Sequence, residues 1–426
     1  MPTDYGAASG SAGRGNGGLA RRAAILFFNF FLIILAYYQV KTASRSLLIE
    51  YWGASNFPYV WIISALTLGT FIGFYHRLVE RHSRLRVVLG SLLLFIGLLI
   101  AFRLLLPVWG AGASFGFYIF VDIFSVILVE QFWSLTNSIN ETDEGKKSYW
   151  FVGTGGLLGG ALGAKVSAVL IEHTPMETPD LLFSCALLLV LTALVNLAMG
   201  RVGLYEEVPS KGPPVVAEGG WRSLLQSRYL LLIAAALFCA QMAQPVIEYQ
   251  FISAVEAAYP ERDERTVFFG DFFGILGLVS IAVNLVLTPL IHRYLGVFAG
   301  MATQPLLIVV CSLGFMVQPV LMIASALKIA DRGLSYSINR ASKEILYIPV
   351  DPVHTYQAKA WIDMLGYRLF KVVGAGLILL LTQWLPLGIG AAELGWLTLA
   401  ICAAWFGVIA LLAREYSTFG LAQAAA

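Results

Sequence analysis

Apolar runs of about twenty residues recur along this chain, and that recurrence limits its fold more than any other feature. Backbone N–H and C=O groups find no water inside a bilayer, so such runs resolve into helices that satisfy their own hydrogen bonds. The runs fall near 24–44, 57–76, 86–106, 115–136, 150–172, 180–200, 229–252, 268–291, 297–317, 319–338, 361–384 and 392–413. At about 35 residues per span and connection, a chain of 426 residues accommodates about twelve. With 58% of residues hydrophobic and 13% charged, the chain is excluded from the soluble enzymes, disordered regulators and fibrous repeats.

The polar stretches between the runs set the domain plan. Residues 1–22 are rich in Gly and Ser, end in Arg21-Arg22 and read as a disordered cytoplasmic tail. The apolar run that follows has no convincing small-residue cleavage site and is read as a retained first span. Residues 201–228, with Pro209, Pro213, Pro214, Gly219 and Gly220, read as a cytoplasmic linker between an N-terminal six-helix bundle (23–200) and a C-terminal one (229–413). Residues 414–426 form a second tail. The halves echo each other faintly: Asn137-Ser138-Ile139-Asn140 closes span four, and Tyr336-Ser337-Ile338-Asn339 closes span ten. The expected fold class is thus an all-α membrane protein of twelve transmembrane helices in two six-helix halves, like the major facilitators, with a site between the halves near the midplane. Arg and Lys gather in alternate connections, at Arg77, Arg81 and Arg84, at Lys146 and Lys147, and at Arg201, Lys211 and Arg222. By the positive-inside rule both termini are cytoplasmic, in a multi-pass protein of a bacterial inner membrane.

Charges inside the spans carry the functional signal. Lys41, Arg45, Lys165, Lys328, Arg332, Arg368 and Lys371 are basic, and Asp122, Glu130, Glu248, Asp271, Asp331 and Asp363 are acidic. One such group at the bilayer centre costs about 2.5–3.5 kcal/mol, so the set implies a cavity or partners rather than lipid contact. Lys41 and Arg45 are four apart and share a helix face, as do Lys328 and Arg332. Asp363, Tyr367 and Lys371 form a stripe at the same spacing, with Arg368 beside it. Several fixed cations suit a multiply charged anion, which needs a partner for each group stripped of water. Read singly, each charge is as well explained by a salt bridge or by snorkelling from a span end. Asp271 and Asp331 read as neutralisers of neighbouring bases, and Arg103 and Glu50 as interfacial.

Other chemistries lack their residues. The five His show no metal-binding spacing, and there is no nucleophile elbow. No catalytic residue, metal site or cofactor is expected. The four Cys stand apart in apolar runs and read as buried hydrophobes. The near-balanced charge gives no field for a nucleic acid polymer. Gly153 to Gly163 contains overlapping G-x-x-x-G spacings, which fit close helix packing better than a phosphate loop, since no G-K-[ST] follows.

The block Asn339-Arg340-Ala341-Ser342-Lys343-Glu344-Ile345-Leu346-Tyr347-Ile348-Pro349-Val350-Asp351, then Lys359-Ala360-Trp361-Ile362-Asp363 and Arg368-Leu369-Phe370-Lys371, resembles the ATP/ADP translocase family of plastids and intracellular bacteria. Phe132-Trp133-Ser134 with Asp143-Glu144-Gly145-Lys146-Lys147, and Glu248 leading to Phe269-Gly270-Asp271-Phe272, resemble further segments of that family. The resemblance implies adenine-nucleotide exchange. In its terms Lys343 matches the functional lysine, Glu248 the second-half glutamate, and Asp122 lies at or beside the first-half one. Lys41 matches the first base of the span-one motif, but Ser44 stands where the family has a lysine, with Arg45 one place later. The expected reading is an alternating-access antiporter, ATP/ADP-type or for a related phosphorylated anion. Its substrate-binding residues are Lys41, Arg45, Asp122, Glu248, Lys343, Asp363, Arg368 and Lys371, and its partners are the bilayer and a small anion, in a monomer. A carrier or flippase for a lipid or other organic anion, and a non-transporting partner or sensor of the same fold, stay open on the sequence.

Overall fold

The computed structural model describes residues 16–139, 142–205, 227–347 and 367–424. The described residues are helical throughout their long elements. In chain order these are α1 (Asn16–Trp52), α2 (Phe57–Arg81), α3 (Arg84–Ile139), α4 (Thr142–His173), α5 (Leu181–Arg201), α6 (Arg228–Ala258), α7 (Arg262–Ala282), α8 (Thr288–Tyr294), α9 (Gly296–Val317), α10 (Leu321–Leu334), α11 (Arg340–Leu346), α12 (Tyr367–Leu379) and α13 (Gly395–Ala424). Single π-helical turns carry α7 into α8 (Val283–Leu287), α10 into α11 (Ser335–Asn339), and α12 onward (Leu380–Trp384). Among the described residues, eight helical stretches are long and apolar enough to cross a membrane. Large apolar side chains such as Leu93, Leu104, Leu187, Leu194, Leu278 and Val310 point outward, as a surface solvated by lipid requires.

Three boundaries differ from the sequence expectations. Helix α1 starts at Asn16, inside the stretch read as a tail, because Leu19-Ala20-Arg21-Arg22-Ala23-Ala24 are all strong helix formers. Helix α13 likewise runs to Ala424. The third difference lies in α3, where spans three and four join without a loop. A straight helix of its 56 residues would be about 84 Å long, nearly three bilayer cores. It instead reverses near Pro107 and Trp109, whose φ of −128° and ψ of 38° are non-helical. The two arms pack against each other, with Phe95 and Phe124 ring centroids 5.4 Å apart and Phe102 and Phe117 5.6 Å apart. Further along, Gln131 Nε2 donates to Ser91 Oγ at 2.8 Å. Of the 201–228 linker, residues 206–226 lie outside the described part.

The small-residue run of α4 packs on two sides. A Cβ on Gly155, Gly159 or Gly163 would stand 2.5 Å from the carbonyl oxygens of Phe27, Phe31 and Leu35 of α1, respectively. On another face, Ala164 and Ala168 meet Gly270 of α7, where a Cβ would stand 2.6 Å from the Ala164 carbonyl. Helix α4 thus sits in backbone contact with one helix from each half of the chain. Buried apolar groups follow the same division. One cluster draws on α1, α3 and α5, another on α6, α9, α10 and α13. A third, with Leu48, Phe57, Trp61, Val246, Phe251 and Phe269, joins the two halves.

That joint lies at the end of the bundle where α1 and α6 finish and α2 and α7 begin. Polar contacts between the halves reinforce it. Arg265 pairs with Glu50, and Arg262 with Glu177 at 2.8 Å. Thr178 Oγ1 donates to Asp263 at 2.6 Å, and the Ala54 N–H to Glu256 at 3.2 Å. Gln383 donates to the Ser55 carbonyl at 2.8 Å. Trp109, Trp384 and Trp396 stand exposed at this same end, while Trp150 and Tyr294 stand exposed at the other.

Candidate functional site

Midway along the bundle, α1, α6 and α10 bring their charges together. Lys41 and Arg45 are one turn apart on α1, and Gln244 and Glu248 one turn apart on α6. Lys328, Asp331 and Arg332 share one face of α10 at i, i+3 and i+4. Glu248 is held on both oxygens. Its Oε1 accepts from Arg45 Nη2 at 3.1 Å and Nε at 3.4 Å, and its Oε2 from Lys328 Nζ at 2.5 Å. Lys328 also reaches Asp331 Oδ2 at 3.2 Å, and Arg332 Nε lies 3.7 Å from the same oxygen. The Gln244 amide faces Arg332 and accepts from it when its oxygen is turned to the guanidinium. Glu248, Lys328 and Asp331 retain 7%, 1% and 2% of their exposure. Ions this dry persist only when paired, because the cost of leaving water is several kcal/mol for each.

Around this chain of ion pairs the sequence places further charges. Lys41 Nζ sits over the rings of Tyr38 at 4.3 Å, Phe273 at 4.4 Å and Tyr37 at 5.5 Å. Among the described residues no carboxylate lies within ion-pair reach of Lys41, so ring faces supply its negative potential. The Arg45 guanidinium also lies over Phe273, at 5.3 Å. Lys371 Nζ lies 6.0 Å from the Trp61 ring, whose indole N–H donates to Tyr118 Oη at 3.0 Å. Asp122 accepts from Ser64 Oγ at 2.6 Å. Among the described residues, the group thus sets Lys41, Arg45, Lys328 and Arg332 against two acids, Glu248 and Asp331. Four cations against two carboxylates leave an excess of two positive charges, which suits an anion.

The structure brings Lys41, Arg45 and Glu248 into one group and sets Asp122 and Lys371 at its margin. It puts Lys343 elsewhere. Lys343 stands on α11, fifteen residues beyond Lys328, which corresponds to about 22 Å along the helix axis. Its neighbour Ser342 meets His292 at 2.8 Å, and Tyr229 Oη donates to the Leu346 carbonyl at 2.7 Å, both at the end opposite the polar joint. Asp363 lies outside the described residues, as does the side chain of Arg368. Lys328 and Arg332 were visible in the sequence as a span-ten pair; what the sequence lacked was the depth that sets Lys328 on Glu248. Asp331 and Asp271 act as neutralisers, the latter pairing with Lys165 at 2.6 Å. Arg103 pairs with Asp180 at 2.8 Å, and Glu130 is exposed.

Residues 211–416 match the TLC ATP/ADP transporter family model. Over that stretch, just under half of its length, the chain is similar to the ATP/ADP transporters. It is 25% identical over 360 residues to ADP,ATP carrier protein 1 of Chlamydia trachomatis, covering 73% of this chain and 68% of that one. Against ADP,ATP carrier protein 1 of Rickettsia bellii it is 22% identical over 311 residues, covering 64% and 62%. Against the chloroplastic ADP,ATP carrier protein 1 of Arabidopsis thaliana it is 23% identical over 348 residues, covering 71% and 54%. These matches span between about half and two thirds of the carriers' own lengths. Among solved structures, a bacterial homologue of the iron transporter ferroportin in an inward-facing state superposes with a TM-score of 0.63 at 13% identity, covering 94% of this chain and 99% of that one. A POT family transporter in complex with 5-aminolevulinic acid gives 0.64 at 12%, covering 96% and 98%. At such identities the likeness concerns the fold alone.

Proposed function

We propose that this protein is an ATP/ADP-type translocase, an alternating-access antiporter that exchanges adenine nucleotides, or a closely related phosphorylated anion, through a central basic site. One observation carries the reading: Arg45 from the first half of the chain and Lys328 from the second converge on Glu248 in a dry, net-positive group. An anion that binds there touches both halves, so its binding is coupled to their relative orientation. Lys41 and Arg45 would take one phosphate between them, with Lys371 further along. The excess positive charge makes the empty site costly to close, which favours exchange over uniport. When substrates of unequal charge are exchanged, the membrane potential biases the direction by about 2.3 kcal/mol per charge per 100 mV.

The reading includes twelve spans in two six-helix halves, counting the α3 hairpin as two. It sets both termini in the cytoplasm of a bacterial inner-membrane monomer. The joint between Glu50 and Arg265 then lies on the external side, and the halves part toward the cytoplasm. Purified protein in vesicles loaded with ADP should take up labelled ATP faster than protein-free vesicles, and faster than vesicles loaded with buffer. Folded protein that takes up neither ATP, ADP nor phosphate above the protein-free rate would overturn the proposal.

A further inference from the structure

We infer that the Glu248 carboxylate is a built-in competitor for the substrate anion, occupying the cation pair that a substrate phosphate takes over. The inference rests on the anion-exchange reading and changes the role of Glu248 within it, from a group that touches substrate to one that substrate displaces. Three features of the site support it. Each oxygen of the carboxylate is engaged by a cation from a different half of the chain, Arg45 on Oε1 and Lys328 on Oε2. Two oxygens of a phosphate present the same fork. The two cations also differ in what they keep when Glu248 leaves. Lys328 retains Asp331 at 3.2 Å, whereas among the described residues Arg45 has no second carboxylate. Finally, Lys41 stands one turn from Arg45 over ring faces, with no carboxylate in ion-pair reach among the described residues. The vacated guanidinium and this ammonium together make the place where an incoming phosphate gains most.

Displacing the carboxylate has two kinetic consequences. The carboxylate weakens apparent affinity by the reciprocal of the fraction of molecules in which the pair is free of it, and it returns afterwards to expel product. Glu248→Gln keeps the shape and removes the charge. If the carboxylate holds the cations in all but about a tenth of empty molecules, the substitution tightens binding about tenfold. KM and kcat should then fall together, because product leaves slowly.

The experiment compares wild type, Glu248→Gln and Glu248→Asp in ADP-loaded vesicles for labelled ADP exchange. Pyrophosphate-induced thermal stabilisation of the purified proteins is followed in parallel. The expected result is a lower KM and a lower kcat for Glu248→Gln, with a larger shift by pyrophosphate than in wild type. Equal or weaker anion binding by Glu248→Gln would overturn the inference, and is what a purely structural acid gives. Should Glu248→Gln fail to fold, Glu248→Asp carries the test: its carboxylate is withdrawn by about 1.5 Å, so it too should bind pyrophosphate more tightly, and unchanged or weaker binding counts against the inference. A wild type that exchanges no nucleotide defeats the antiport reading instead, and the pyrophosphate comparison still decides the role of Glu248.

Discussion

Replacing Gly159 by Ala tests how closely α4 lies on α1. In isolation the change favours the helix, by about 1 kcal/mol. In this fold the new methyl would stand 2.5 Å from the Phe31 carbonyl oxygen and 3.2 Å from the Leu35 nitrogen. Ordinary contact begins near 3.4 Å, so the helices must part by close to 0.9 Å. They cannot tilt about this point, since Gly155 and Gly163 make equally close contacts one turn to either side. Overpacking of this kind costs about 1–3 kcal/mol and outweighs the propensity gain. The net expectation is a loss of about 1–2 kcal/mol for Gly159→Ala, and several times that for the triple Ala variant. Gly153, on the same helix, has nothing within 4 Å of a Cβ, so Gly153→Ala should be neutral or gain up to about 1 kcal/mol. Equilibrium unfolding in mixed micelles of a mild detergent and dodecyl sulfate measures both. Gly159→Ala as stable as Gly153→Ala would refute the close approach.

At Gly270 the same substitution acts across the joint between the halves, where a Cβ meets the Ala164 carbonyl at 2.6 Å and Ala168 Cβ at 2.9 Å. Gly270→Ala should slow exchange and lower disulfide cross-linking of a Ser55→Cys, Gln383→Cys pair; undiminished cross-linking would count against the joint. Lys328→Met leaves Glu248 and Asp331 with fewer partners in a dry site and should cost about 3–5 kcal/mol. Lys165→Gln breaks a pair whose side chains are 54% and 41% exposed and should cost under about 1 kcal/mol; unfolding midpoints that rank the two the other way would contradict the burial described. Glu50→Gln removes a half-exposed partner of Arg265 and should reduce the cross-linked fraction in the Ser55→Cys, Gln383→Cys background by less than about fivefold.

The helical membrane class was legible because hydrophobic length is a one-dimensional quantity, and lipid leaves the backbone no alternative. The close packing of Gly155, Gly159 and Gly163 was legible for a related reason, since small residues four apart fall on one face. Boundaries fared worse. Helix α1 begins six residues before the expected end of the tail, because its opening Gly and Ser residues outweighed the Ala and Arg that follow. The reversal at Trp109 replaced an expected loop, since Pro107 announces a break without saying how tight the turn is. At the site, helical spacing paired Lys41 with Arg45 and Lys328 with Arg332. Spacing has no reach between helices, however. It could not join Arg45 to Glu248 across 203 positions. Family resemblance pointed to Lys343 for its match to a motif, whereas proximity to Glu248 depends on depth in the bundle.

The exposed indoles bear on more than solubility. Trp and Tyr side chains settle at the headgroup level of a bilayer. Trp109 belongs to the first half of the chain, Trp384 and Trp396 to the second, and all three stand at the joined end. Trp150 and Tyr294 mark the opposite level, again one from each half. Each half therefore carries its own depth gauge at both faces. If the halves rock as proposed, the gauges cannot all keep their level, and the two facings match bilayers of different thickness. Membrane composition then joins substrate and voltage as a variable that sets which way the site opens.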